Sequence, residues 1–379
     1  MKRLLIPVIA FVFLFSGCSR TFDINERLIV QGVGIDYVSE NEVEVTVQAL
    51  NTDTYAGIGG AKVPDKLVKN YVLKGKTVAS ALSKLNSFSG KEPLYTHTRI
   101  ILLGKELAEN GIKNVIDFFS RDSSCRASLY VAVCDGRAGD FLKNTDDSQS
   151  VPSVEIENAV GASQFGGDTV NVHIYELIKM YREKTTSAFL PVVSLDEKDK
   201  EKAVSVSGTA VLDSDRGKQI IGESDTQLLM LFLNRTKYGT YTLDSFDGNA
   251  SFDFYKTRCR TDVSKAIKDE TVFNVKIKCV FDCVEFSDKK DSVLDGGMLK
   301  ELENLLEKEL ERKMSSFLYR MSRNGNDCMR LGRVLLLKDK KQYRQKENDW
   351  RQALSSAGFN VNVDVSIRRI GQESNESAF

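Results

Sequence analysis

From Thr271 to Phe286 the chain reads TVFNVKIKCVFDCVEF, and this stretch limits the possible folds more tightly than any other. Val275, Ile277, Cys279 and Phe281 share one side of an extended segment, the period-two pattern of a strand with one buried face. A stripe of Leu299, Leu302, Leu305, Leu306, Leu310, Phe317 and Met321 follows at steps of three and four, the spacing of one helical face. The spacing predicts a helix over residues 298–322, about 37 Å long, with two glycines before it and Asn324-Gly325 after it. Such a stripe serves either as a coiled-coil seam for a partner or as the face a helix lays on its own sheet, and the second arrangement is the commoner. A one-faced strand followed by a one-faced helix points to an α+β fold with antiparallel-rich sheets flanked by helices.

The rest of the chain agrees. RLIVQGVGIDYVSENEVEVTVQAL reads as two strands joined at Ser39-Glu40-Asn41, with Val43, Val45 and Val47 alternating against Glu42, Glu44 and Thr46. Gly32 and Gly34 are not a dinucleotide loop, because more strand follows them and the third glycine is missing. A Gly-rich surface loop comes next, then a short strand near Leu67 to Leu73. KTVASALSKLNSF places Val78, Ala81, Leu82 and Leu85 on one helical face. The strand YTHTRIILLG, the helix KELAENGIKNVIDFF and the strand RASLYVAVCDG follow, an alternation that implies a mixed layer. Residues 145–167 are polar and turn-rich, and read as a boundary or excursion. TVNVHIYELIKMYREKT resumes as helix and leads to FLPVVSL. The charge run SLDEKDKEKA reads as a linker. Beyond it come a hairpin (VSVSGTAVLDSDRGKQIIGE), a helix (SDTQLLMLFLN), long alternating strands, the long helix, a helix around Trp350 and a closing strand, VNVDVSI. The expected division is 1–17 as a leader, 18–199 as an N-terminal region and 200–379 as a C-terminal domain.

The leader sets the compartment. Lys2 and Arg3 precede an apolar core from Leu4 to Phe15, which is too short to span a bilayer and right for export. Phe15-Ser16-Gly17-Cys18 then looks like a bacterial lipobox, with cleavage between Gly17 and Cys18 and lipidation of Cys18 as an S-diacylglycerol and N-acyl cysteine. The plainer reading is an ordinary secretory signal with an incidental Cys18, but no small-x-small cleavage site competes nearby. Two acyl chains also hold a protein where one gives only marginal binding. The chain is formally neutral, so losing Lys2 and Arg3 leaves 0 − 2 = −2, without the basic footprint of a nucleic-acid binder.

Little in the sequence carries chemistry. Its two histidines are His97, placed in a strand beside Arg99, and His173, near a helix start. They form no triad or metal pattern with other residues, and no phosphate loop, GxSxG or HExxH occurs. Carboxylates such as Asp295 with Glu301, or Asp146-Asp147, carry no glycosidase signature. Neither an enzyme nor a cofactor is expected. Arg99, Arg121 and Asp122 form either a structural ion-pair network or a contact between subunits. The six cysteines after Cys18 are an even number that leaves pairing open. Cys279 and Cys283 are about 13 Å apart on one strand face and cannot bond each other, and buried free thiols are the expected state.

Several strings add up to a family likeness. ERLIVQGVGIDY with Gly34-Ile35-Asp36 comes first. THTRIILLGKELAENGIKNVIDFFSRDSSCR follows, with Gly104, Ala108, Gly111-Ile112, Arg121-Asp122 and Arg126, and then VSGTAVLDSDRGKQIIGE with Gly208-Thr209-Ala210. NGNDCMRLGRVL, NDWRQ and VNVDVSIRRIG close the series with Asp327, Gly332, Trp350 and Gly371. In this order they resemble the Ger(x)C-type lipoproteins, the C-subunits of germinant receptors in endospore-forming bacteria. The resemblance implies three mixed α/β domains in an elongated array. It also implies a non-catalytic subunit held by membrane lipid through Cys18 on the outer face of the spore inner membrane, beside multi-span A-type and B-type receptor subunits. The competing expectation is a lipid-anchored solute-binding receptor that captures a small nutrient. Such proteins commonly show two similar lobes, and no duplication is visible here.

Overall fold

A computed structural model describes residues 26–51, 66–121, 125–144, 150–198, 201–213, 216–244, 246, 248–267, 270–288, 295–370 and 373–374. The architecture is the expected mixed α/β one, with sheets flanked by helices. The first sheet holds β1 (Arg27–Ser39), β2 (Glu42–Leu50), β3 (Val68–Gly75), β4 (Glu92–Leu94), β5 (Ile100–Leu103), β6 (Tyr130–Cys134), β7 (Ala188–Lys198), β8 (Glu201–Asp213) and β9 (Arg216–Ile221). Their order is β3-β2-β1-β5-β6-β7-β8-β9, with β4 pairing onto β1. Pairing is parallel along β1-β5-β6-β7 and antiparallel in the flanks.

The parallel centre explains the solid apolar string IILL of β5. Helices cover both faces there, so every residue of the strand is buried and no alternation survives. One side carries Val78–Leu82, Lys113–Arg121 and Ile174–Arg182. The other carries Ala138–Lys143 and Pro152–Ala162, whose Phe141, Leu142, Ile156 and Val160 pack on Ile100, Leu102, Ala132 and Val193.

The second sheet orders β10 (Thr240–Thr242), β11 (Gly248–Ile267), β12 (Glu270–Asp288), β13 (Gly358–Ile370) and β14 (Glu373–Ser374). Val275, Ile277, Cys279 and Phe281 of β12 are all buried, as the alternation predicts. The long helix Gly296–Arg323 lies against this sheet, burying Leu299, Leu302, Leu306, Leu310, Phe317 and Met321 while Leu305 packs at the core margin. Each such side chain contributes about 1.5–3 kcal/mol on burial. The stripe is therefore a packing face within the chain. Leu228 to Phe232 of the helix Glu223–Phe232 are all buried and join the cores of the two sheets into one.

Two strand edges are closed by side chains. Glu303, Glu307 and Glu311 of the long helix accept hydrogen bonds from the backbone amides of Ile367, Val365 and Val363 at 2.8, 3.0 and 3.0 Å. The match is geometric: four helical residues rise about 6.0 Å and two strand residues about 6.7 Å. Asn234 does the same for β11, donating to the Cys259 carbonyl at 2.9 Å and accepting from its amide at 2.7 Å. An unpaired edge templates association with another chain, and these contacts remove that template.

Several expectations change. The charge run at 194–203 is not a linker but the end of the β7–β8 hairpin, with Leu195 opposite Val204 and Lys198 opposite Glu201. The polar stretch 145–167 contains the helix Pro152–Ala162; Pro152 suits the first turn and is buried there, and beyond it only a narrow face of Ser153, Ile156 and Val160 is buried. His97 lies in a 3-10 turn, Tyr95–His97, ahead of the strand. The segment 78–89 breaks into two helices, Val78–Leu82 and Leu85–Ser89, and 105–121 breaks at Gly111, whose φ of +117° suits glycine.

Candidate functional site

Asp327 and its near neighbour Gly332 meet Trp350, 23 residues further on, in one buried cluster. The Asp327 carboxylate accepts from the Leu331 amide at 2.7 Å, the Gly332 amide at 2.8 Å and the Trp350 indole Nε1 at 3.0 Å. Its backbone amide donates to Ser187 Oγ at 2.9 Å, and the Ser187 amide donates back to its carbonyl at 3.2 Å. The carboxylate thus ties the helix Leu331–Lys338, the helix Trp350–Ser355 and the start of β7. Gly332 is required by space: a Cβ would overlap the Thr185 side chain and press on Trp350. Burial raises the Asp327 pKa from 3.8 to about 7, while the Gly332, Leu331 and Trp350 donors pull it down.

Around this cluster the two halves of the chain meet through charge. Arg333 pairs with Glu183 at 2.6 Å, and Arg235 with Glu176 at 2.8 Å. His173, whose imidazole stacks on Tyr130 at 4.4 Å, precedes the helix Ile174–Arg182, as the sequence placed it. Arg330 holds a left-handed backbone (φ +59°), and burial lowers its pKa. A groove of about 460 Å³ opens beside the cluster, lined by Tyr181, Lys184, Gly325, Glu347, Trp350 and Arg351.

Gly34-Ile35-Asp36 and Gly104 also come together. The Asp36 carboxylate accepts from the Ala138 and Gly139 amides at 2.7 and 2.9 Å, capping the helix Ala138–Lys143 from a strand 102 and 103 residues away. Gly104 lies against the same carboxylate, where a Cβ would overlap it. Burial raises the Asp36 pKa against its two amide donors and Arg137.

A third polar cluster sits under a cavity of about 370 Å³ between β10 and the long helix. Tyr241 donates its hydroxyl to Glu309 at 2.8 Å, and Lys313 bridges Glu309 at 3.0 Å and Asp244 at 2.7 Å. Burial and Glu309 raise the Tyr241 pKa. Burial opposes the Lys313 charge, yet Asp244 and Glu309 hold its pKa above the ordinary value. Tyr241, Glu309, Lys313 and Asp244 are thus all partnered within one network.

The remaining candidates resolve simply. Arg99 pairs with Glu157 at 3.2 Å and Arg121 with Asp117 at 3.0 Å, so both serve ion pairs within the chain, while Asp122 lies outside the described residues. Cys134, Cys259, Cys279, Cys283 and Cys328 are buried free thiols, and Cys125 is half-buried. Burial pushes Cys259 and Cys279 up to about 12, which keeps them protonated. Among the described residues no group of three or more His, Cys, Asp or Glu could hold a metal ion. Cys18 and Gly17, the lipidation and cleavage residues, lie outside the described residues.

The clusters draw on both halves of the chain, and so do the comparisons with known proteins. Residues 20–195 match the family described as "Spore germination protein N-terminal domain", and residues 207–371 match "Spore germination B3/GerAC like, C-terminal". The chain belongs to the Ger(x)C family of spore germination proteins. Spore germination protein KC of Bacillus subtilis (strain 168) is 21% identical over 96% of this chain and 94% of its own. GerQC of Bacillus cereus is 21% identical over 98% and 99%. Spore germination protein B3 of B. subtilis (strain 168) is 23% identical over 94% of each. The crystal structure of the GerBC protein shares the fold, with a TM-score of 0.58 and 19% identity over 89% of this chain and 96% of that one. This Ger(x)C chain therefore has a role in spore germination.

Sequence reasoning matched Asp327, Gly332, Trp350, Asp36 and Gly104 to the family without assigning them roles, and it missed Ser187, Glu309 and the glutamate ladder. The ladder had a signal: Glu303, Glu307 and Glu311 repeat at four-residue steps beside the apolar stripe. Ser187 and Glu309 left none, because their partners lie 140 and 68 residues away.

Proposed function

We propose that this chain is the lipid-anchored, non-catalytic subunit of a nutrient germinant receptor, acting through contacts with protein partners to support spore germination. The observation that carries it is the pair of family regions over 20–195 and 207–371, which begins two residues after Cys18. In this reading the leader 1–17 is removed and membrane lipid on Cys18 holds the protein to the outer face of the spore inner membrane. Residues 18–199 and 200–379 are its two functional regions, and multi-span A-type and B-type subunits are its partners. Support for a non-catalytic role comes from the polar clusters, whose carboxylates are consumed by backbone amides and neighbouring side chains.

Changing Cys18 to Ala tests the reading. The variant is expected to leave the membrane fraction of spores and to slow nutrient-triggered germination. A Cys18→Ala protein that stays with the membrane and germinates at the wild-type rate overturns it.

A further inference from the structure

The outer face of the second sheet carries an arrangement that folding alone does not favour. On β11 and β12, Arg258 stands directly opposite Lys278, and Arg260 directly opposite Lys276. All four are exposed, as is Lys256, which shares the face one step further along. Like charges directly opposed on neighbouring strands destabilise a sheet. Facing Cβ atoms are about 5 Å apart and successive residues on one face about 6.7 Å apart, so four cations occupy a small square.

The chain neutralises only one corner of this square. Lys278 pairs with Asp364 of β13 at 2.7 Å. Three other carboxylates near it are engaged elsewhere: Asp282 by Arg368, Asp262 by Lys338, and Asp253 by the Thr240 hydroxyl. Among the described residues Lys256, Arg258, Arg260 and Lys276 have no carboxylate partner. The excess is not a bulk property either, since the chain balances 53 Lys and Arg against 53 Asp and Glu.

We infer that this face docks on the anionic headgroups of a phospholipid bilayer. The square contains no aromatic or aliphatic side chain to anchor a protein partner, and half of it is lysine, which protein interfaces avoid. An anionic membrane surface asks only for closely spaced cations, each contributing about fivefold to partitioning. The inference extends the lipid-anchored reading above from one residue to one face, and it rests on that reading for the bilayer being within reach.

The test compares the full chain with R258Q/R260Q/K276Q/K278Q by co-sedimentation with two kinds of vesicle, phosphatidylcholine alone and phosphatidylcholine mixed with phosphatidylglycerol. A control, K300Q/K308Q/K340Q/K341Q, makes the same charge change at exposed positions on helices elsewhere. The wild type and the control are expected to bind the phosphatidylglycerol vesicles more tightly than the neutral ones. The sheet-face variant is expected to lose that preference by on the order of a hundredfold, about fivefold for each of the three cations without a carboxylate partner, with thermal stability equal to or above wild type. Raising the salt from about 0.1 M to about 1 M should abolish the wild-type preference, as screening shortens to roughly 3 Å. No preference in the wild type, or an equal loss in the control, overturns the inference. The anchor is scored separately: Cys18→Ala is expected to lower binding to the neutral vesicles and to leave the phosphatidylglycerol preference intact.

Discussion

Asp36 and Asp327 are two solutions to one local problem. Each caps a helix whose N-cap is an arginine and whose second residue is a glycine: Arg137-Ala138-Gly139 in the first sheet, Arg330-Leu331-Gly332 near the second. In each case the carboxylate takes the first two helical amides, which have no partner within the helix. The difference is reach. Asp327 caps a helix 4 and 5 residues onward and adds the Trp350 indole and Ser187, whereas Asp36 caps a helix more than 100 residues away and, among the described residues, takes no side-chain donor. The first is a local turn made into a hub, and the second is a staple between distant segments. A buried carboxylate at a helix start can therefore serve either as a nucleus for later packing or as the closure of packing already made.

The hub should be the costlier to remove. Asp327→Ala strands three buried donors and is expected to lower unfolding free energy by about 4 kcal/mol, against about 2 kcal/mol for Asp36→Ala with two. Denaturant titration of both variants checks the ranking, and equal losses would break the comparison. Gly332→Ala should cost about 2–3 kcal/mol through overlap with Thr185 and Trp350.

The pH response sharpens the same contrast. Asp327 has a folded pKa of about 7 against 3.8 as a free side chain, so the folded state holds its proton more tightly. Its contribution is fully present at acid pH and declines as pH rises from about 4 through about 7. Asp36 is raised by the same cause and acts in the same direction. Subtracting the stability–pH curve of Asp327→Asn from that of the wild type should isolate a falling slope across that window. A flat difference would show that Asp327 stays ionised throughout.

The glutamate ladder extends the comparison to a strand, with smaller effects because its carboxylates are half-exposed. Each of Glu303→Ala, Glu307→Ala and Glu311→Ala should cost about 1 kcal/mol. The triple variant should self-associate through the freed β13 edge, which light scattering would register. Breaking the exposed Arg333–Glu183 pair by Arg333→Ala should cost under about 1 kcal/mol, the least of the set.

Much of the fold was legible because periodicity records burial. The strand face of β12 and the stripe of the long helix were readable, since water contact on one side alone forces the pattern, whereas β2 buries Thr46 and Gln48 on its polar face as well. What escaped lacked that pattern. The helix Pro152–Ala162 buries a narrow face and resembles its loop surroundings, and the end of the β7–β8 hairpin is set by strand register, which a run of charge does not announce. The candidate clusters were legible only as residues, not as contacts. Asp36, Gly104 and Gly139 looked unrelated, and nothing in the spacing of Ser187 and Asp327 announced a reciprocal pair.

The amino-acid order by itself determined the one-faced strand β12, the one-faced long helix and the unpaired state of Cys279 with Cys283. These depend on residues within a few positions of each other, where covalent geometry fixes which side chains share a face. The tertiary structure alone decided which amides Asp36 and Asp327 satisfy, that Glu303, Glu307 and Glu311 close the β13 edge, and that Arg258, Arg260, Lys276 and Lys278 converge on one open face. Those outcomes depend on strand register and helix docking, which join residues by distance in space and leave no period in the sequence.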